Sequence, residues 1–185
     1  MIDSRKEEYN KFIDLPSISY NCIKYLMDNN ELVWKLLKYD DKDAWKNDVT
    51  HPNLTKAQKG ALIYDGSPNE TDFRVFMDVG MDDPWTEQAC VIRITPARLT
   101  PTSYVYGQVN MLFEVYAHYK VNTMSNYSTR LTTISQQFIE VFNGAEIGGL
   151  GRLFFDMKAS PENRLTINGR TPMRGNALIM TNWMA

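Results

Sequence analysis

The feature that most constrains the fold is a long run of alternating residues in the middle of the chain, from Gln108 to Thr123. Successive side chains of a strand point to opposite faces of a sheet, so a period of two indicates a strand. The run therefore predicts a long antiparallel strand with one face on the core and a more polar face opposite. The two sets of alternating residues are Val109, Met111, Phe113, Val115, Ala117, Tyr119 and Val121 against Asn110, Leu112, Glu114, Tyr116, His118 and Lys120.

The segments around this strand predict one further helix and several shorter strands. Apolar residues recur at helical spacing from Tyr127 to Phe142, and Asn143-Gly144 is suited to end that helix. Pro96 and Pro101 are expected to bracket a connection between strands. The shorter strands are predicted over 73–79, 90–95, 152–157 and 176–183. This order predicts an α+β fold, in which a mixed, mostly antiparallel sheet packs against one or two helices on one face, with a helical N-terminal extension.

The N-terminal third is predicted to be helical after a polar arm that is closed by Pro16. Ser17 is placed to cap a first helix, a second helix starts from Asn30, and a short one spans 55–63 in a loop-rich region. A chain of 185 residues suits one core rather than two. We therefore expect an arm over 1–16 and one α+β domain over 17–185. Within that domain, a helical part covers 17–64 and a core of sheet and helix covers 73–185.

Composition argues against several classes of partner. Lys and Arg number 20 against 22 Asp and Glu, and no basic stripe is visible, although proteins that grip nucleic acid rely on one. No stretch approaches the roughly 18 apolar residues of a membrane span, and the charged N-terminus is unlike a signal peptide. We therefore expect no membrane partner and folding in a cytoplasm. Cys22 and Cys90, each among apolar neighbours, are predicted to be buried thiols.

The few reactive side chains do not fall into catalytic or metal-binding patterns. His51 precedes a proline in a loop, His118 lies on the polar face of the long strand, and no G-x-S-x-G pattern occurs. Neither cysteine lies near a histidine, as a zinc site would require. The glycine-rich segment 144–151 follows a helix and opens a strand, the reverse of a phosphate-binding loop. We expect no catalytic, cofactor or metal site, and hence no enzyme.

The order of elements from Gln108 onward resembles that of a known group of proteins. A long alternating strand (VNMLFEVYAHYKV), an amphipathic helix (TRLTTISQQFIEVFNGAEI), a glycine turn and two strands (GRLFF, NALIMTNW) follow one another. This arrangement, over roughly residues 90–183, resembles the tail-terminator and head-to-tail joining proteins (neck rings, connectors) of tailed bacteriophages.

The resemblance implies a structural subunit of a homo-oligomeric ring, of six or twelve copies, in the neck or tail region of a virion. Such a ring joins portal, adaptor or tail proteins, is assembled in the host cytoplasm, uses no cofactor, and lets DNA pass without sequence-specific binding. The near-neutral charge suits such a channel, because a basic lining would hold the phosphates. The candidate channel-facing acidic loop comprises Asp78, Asp82, Asp83 and Glu87. The candidate subunit interface, chosen for exposed apolar positions, comprises Leu112, Tyr116, His118, Trp183 and Met184.

Two other functions remain open from the sequence. The long strand could be the platform of a nucleic-acid or protein-binding module of the cytoplasm, since it carries Tyr116, Tyr119 and Lys120. A small enzyme could use His118 with Glu114, because both lie on one strand face. A salt-sensitive shift of labelled DNA would identify the module, and loss of turnover in a double variant would identify the enzyme.

Overall fold

The computed structural model describes residues 15–67, 73–77, 88–101, 107–148, 151–155 and 173–183. Its helices are α1 (Leu15–Asn29), α2 (Leu32–Lys38), α3 (Lys56–Gly60), α4 (Tyr119–Asn122) and α5 (Arg130–Phe142). Its strands are β1 (Val75–Phe76), β2 (Cys90–Pro101), β3 (Gly107–His118), β4 (Glu146–Ile147), β5 (Gly151–Phe155) and β6 (Met173–Trp183). The predicted arm lies almost wholly outside the described residues.

Local sequence accounts for where the helices begin. α1 begins before the predicted cap at Ser17, with Pro16 in its first turn, where a proline has no hydrogen bond to lose. The N–H of Val33, early in α2, donates to the Asn30 side chain at 2.8 Å. α3 has a capping box, in which the side chains of Thr55 and Gln58 bond each other's backbone N–H groups.

The strands form one six-stranded sheet in the order β1-β2-β3-β6-β5-β4, with only β1–β2 parallel. β2 and β3 make a long hairpin whose register runs from Cys90 opposite Ala117 to Pro101 opposite Gly107. The expectation that Pro96 begins a connection is therefore wrong. β2 continues through it, and the register shifts between Pro96 and Arg98, an irregularity that allows a proline inside the strand.

The alternating run also ends earlier than its period suggests. β3 stops at His118, and α4 replaces the predicted strand beyond it. The imidazole Nδ1 of His118 accepts the Lys120 N–H at 3.2 Å and so caps the first turn of α4. An alternating pattern cannot reveal this change, because Tyr119 and Val121 continue it.

The main core lies between one face of the sheet and helices α1, α2 and α5. Phe113 of β3 meets Phe138 and Phe142 of α5, with ring centroids 5.4 and 4.7 Å apart. Residues of α1 and α2, including Ile23 and Trp34, belong to the same buried cluster. The predicted α+β class, with a mostly antiparallel sheet and helices on one face, is confirmed. The N-terminal helices are part of its core.

Candidate assembly surface

The opposite face of the sheet carries three of the predicted interface residues, and it is largely covered. A second buried cluster joins Tyr116 to Phe76, Val91 and Met173, with Tyr64 and Phe73 packed against it. Tyr116 and His118 are only 4% exposed, so the expectation that they form exposed surface is wrong. The cover comes from Tyr64, in the loop-rich region, and from Phe73 and Phe76, in the segment where the sequence predicts a strand over 73–79. Leu112 keeps part of its side chain exposed.

Of the remaining predicted site residues, Trp183 lies within the described part of the chain. Trp183 ends β6, opposite Arg152 of β5. Met184 and all four members of the acidic loop, Asp78, Asp82, Asp83 and Glu87, lie outside the described residues.

Glu114 and His118 share the covered face but have separate partners. One oxygen of Glu114 accepts from Arg93 Nε at 2.5 Å, and the other accepts from the Tyr116 hydroxyl at 2.7 Å. Tyr116 lies between Glu114 and His118 on that face. Burial, and then the charge of nearby Lys120, lower the pKa of His118. The two candidate catalytic groups are about 13 Å apart along the strand, so they make no acid–base pair.

Loop 40–54 is organised around His51. The imidazole lies between two carboxylates, with Nε2 at 2.8 Å from Asp41 Oδ2 and Nδ1 at 3.0 Å from Asp48 Oδ1. Thr50 donates to the same Asp48 oxygen at 2.7 Å, and the ring of Tyr39 meets the imidazole edge to face at 5.2 Å. A neutral imidazole has only one N–H, so the two carboxylates together favour the protonated ring.

We call the contacts of His51 with Asp41 and Asp48 the His51 clamp. The pKa shifts of its members determine how its contribution to stability changes with pH. Hydrogen bonding to Asp41, and then to Asp48, raises the pKa of His51 above its ordinary value. The contribution of His51 to the stability of the fold is therefore complete below about pH 6.5 and is lost as pH rises through the folded pKa. Hydrogen bonds from Thr50 and then from His51 lower the pKa of Asp48 to about 2. The contribution of Asp48 is present above about pH 4 and is lost as pH falls toward 2. The clamp is therefore complete between about pH 4 and 6.5.

Loop 40–54 is docked on the turn that precedes α5. Ser125 connects the two segments: its N–H donates to the Lys42 carbonyl at 2.9 Å, and its hydroxyl donates to Asp43 Oδ1 at 2.5 Å. The same hydroxyl accepts the indole N–H of Trp45 at 3.0 Å. Trp45 is thus held in place although 36% of it is exposed.

The turn displays Tyr127 almost completely to solvent, at 95% exposure. Its φ of 64° is in the left-handed region, which costs a residue with a side chain about 1–2 kcal/mol. The turn is closed by hydrogen bonds from the Met124 N–H to the Ser128 carbonyl at 3.0 Å and from Ser128 to the Asn126 side chain. These contacts hold an exposed aromatic ring on a fixed backbone.

Arg130, the first residue of α5, is fully buried and ties three segments together. Its Nε donates to the Val121 carbonyl at 2.6 Å and its Nη2 to the Asp41 carbonyl at 2.5 Å, and its Nη1 donates to the Leu36 carbonyl. The guanidinium therefore joins the ends of α2 and α4 to the start of loop 40–54. This contact fixes the loop and the turn relative to the sheet.

We call the exposed apolar side chains of these two segments, Trp45, Val49 and Tyr127, the loop-end surface. Val49 is 97% exposed. Tyr119, which directly follows the capping residue His118, is also exposed. Exposed aromatic residues on a fixed backbone are typical of protein interfaces. The sequence did not predict this surface, although the loop-rich region and the polar turn that carry it were recognised.

Three further features of the described residues concern metal binding, thiol reactivity and membrane crossing. None of their His, Cys, Asp and Glu side chains form a group of three that could hold a metal ion. Cys22 and Cys90 are buried free thiols, as predicted, and burial raises the pKa of each to about 12. Of the helices that the structure describes, none is long and apolar enough to cross a membrane.

Comparison with known proteins identifies the family. No curated protein and no solved structure matches the chain. The sequence model of one protein family, YomW, matches residues 29–173, a range that includes the loop-end surface. Because this match covers most of its 185 residues, the chain belongs to the YomW family, a phage-associated (Bacillus SPbeta-like) protein family.

Proposed function

We propose that this chain is a structural, non-enzymatic subunit of a phage particle that assembles with copies of itself into a ring at the head-to-tail connection. The observation that carries the proposal is the loop-end surface, where Trp45 and Tyr127 are exposed yet fixed. The phage association of the family makes a virion protein the natural context for such a surface.

The energetics of Tyr127 favour a partner. A glycine or asparagine at φ 64° would avoid most of the strain, and a polar residue would avoid exposing an aromatic ring to water. A monomer gains nothing from the tyrosine, whereas an interface gains a large side chain with little conformational entropy left to lose. The strain is therefore expected at a residue that acts in assembly.

The ring would join portal, adaptor or tail proteins on its two sides and would pass DNA through its lumen. A net charge of -2 agrees with a lumen that holds DNA only weakly, because tight binding requires clustered lysines and arginines. The long β2–β3 hairpin gives the subunit an elongated sheet, which suits a ring wall.

Mass photometry and negative-stain electron microscopy of the purified full chain would test the proposal. We expect a closed ring, of six or twelve copies, in equilibrium with monomer. Tyr127→Asn, which accommodates the left-handed backbone, should shift the equilibrium toward monomer without lowering the stability of the fold. A chain that stays monomeric at micromolar concentration, alone and with its portal, would refute the proposal.

A further inference from the structure

The second exposed surface lies at the far end of the β2–β3 hairpin. Residues 96–99 of β2 are all exposed, including Leu99 at 44%. The strand pairing of β3 with β6 begins at Asn110, opposite Thr181, whereas its pairing with β2 begins at Gly107, so the first residues of β3 are paired with β2 alone. We call this end of the hairpin, with Arg98 on one face of the sheet and Leu99 on the other, the hairpin-end surface.

The hairpin-end and loop-end surfaces lie at opposite ends of the same strand. β3 begins at Gly107, beside the hairpin end, and finishes at His118, from which α4 leads to the turn with Tyr127. Its 12 residues span about 40 Å. Two different surfaces at opposite ends of a subunit suit a head-to-tail contact, which generates a ring when the rotation closes.

The two surfaces also have complementary chemistry. Arg98 is the only charged residue between Ile94 and Phe113, whereas residues 40–51 carry four aspartates against two lysines and the protonated His51, an excess of one negative charge. Arginine, tyrosine and tryptophan are the residues most enriched at the centres of interfaces, and a guanidinium is attracted to the face of an aromatic ring. Leu99 supplies the apolar side chain that would pack against Trp45 and Tyr127.

We infer that neighbouring subunits contact each other head to tail, with the hairpin-end surface of one copy against the loop-end surface of the next. This inference rests on the proposed function, because it describes the contact between neighbouring subunits of the proposed ring. The contact is made through side chains rather than by adding a strand, because Pro96 and Pro101 lack an N–H and Arg98 places a charge on that part of β2.

Paired cysteines test the contact in the full chain. One variant carries Leu99→Cys and the other carries Val49→Cys, and both positions are exposed. The two native thiols are buried, so they should not compete in cross-linking. After mild oxidation, an equimolar mixture should give covalent dimers at least about tenfold more abundant than either variant alone, and the double variant should give ladders up to the ring. Tyr20→Cys, 45% exposed on α1, is the matched control and should add no dimer to either partner.

A charge reversal gives an independent measurement. Arg98→Glu should raise the concentration at which half of the chains are assembled by about tenfold or more, as expected for one unfavourable charge in an interface. Lys24→Glu, the same change at an exposed position on α1, should leave that concentration unchanged.

The outcomes separate this inference from the function on which it rests. Cross-links specific to the mixture, together with weakened assembly of Arg98→Glu, would support the head-to-tail contact. Rings that form normally in Arg98→Glu, or dimers of Leu99→Cys alone as abundant as those of the mixture, would overturn it and leave the ring intact. Absence of any assembly by the parent chain would overturn both.

Discussion

Replacing Arg130 by methionine removes the side chain that ties α2, α4 and loop 40–54 together. The guanidinium donates to three backbone carbonyls and is completely buried. Each carbonyl that loses its charged donor costs about 1–3 kcal/mol. Burying an apolar side chain instead of a cation recovers part of this, because the desolvation cost of the charge is avoided; replacing whole buried ion pairs by apolar residues recovers about 1–4 kcal/mol. We expect a net loss of about 3 kcal/mol in the free energy of unfolding.

Urea denaturation followed by tryptophan fluorescence would measure this loss. The experiment is best done in the Tyr127→Asn background, because assembly would make the apparent stability depend on protein concentration. Arg130→Lys is the informative control: it keeps the charge but not the planar fork, so it should lose at least as much stability as Arg130→Met. A loss below about 1 kcal/mol for methionine, or a lysine variant as stable as the parent, would refute this account of the contact.

Three further predictions follow from the described contacts. In NMR titrations the two histidines should titrate on opposite sides of pH 6.5, His51 above it and His118 below; the reverse order would exclude the two-carboxylate clamp. Tyr116→Phe, which leaves a buried oxygen of Glu114 without its hydroxyl donor, should lower the free energy of unfolding by about 1–3 kcal/mol in urea denaturation, and no change would mean that water replaces the donor. Neither cysteine should react with a thiol reagent in the native chain, and both should react in urea; rapid native labelling would contradict their burial.

The sequence predicted the local architecture where the side-chain period was long and uninterrupted. The alternation before His118 identified β3, and the 3.6-residue period identified α5. The errors fell where one side chain redirected the chain without changing the period. His118 caps α4 within a pattern that still alternates, and Pro96 continues β2 by a shift of register. Neither event has a signature in the hydrophobic pattern.

The candidate surface depends on contacts that are distant in the sequence. Tyr116 was expected to be exposed because its strand face is mixed, but Tyr64 and Phe76, from before β2, cover it. Trp45 is oriented by Ser125, 80 residues away, and this pairing leaves no trace in either segment. Tyr127 adopts a left-handed backbone, which is unusual for an aromatic residue and which the sequence therefore did not indicate.

The contacts beneath the loop-end surface also predict how assembly responds to changes that never touch it. An interface loses less free energy on binding when its side chains are already ordered. Trp45 is held by Ser125, and His51 and Arg130 hold the loop that carries Trp45. Because the clamp of His51 weakens as pH rises through its raised pKa, ring formation should weaken on the alkaline side of pH 6.5. His51→Gln should remove this pH dependence and assemble poorly throughout, as measured by mass photometry between pH 5.5 and 8.5. A parent chain whose assembly is equally strong across that range would show that the clamp does not prepare the surface.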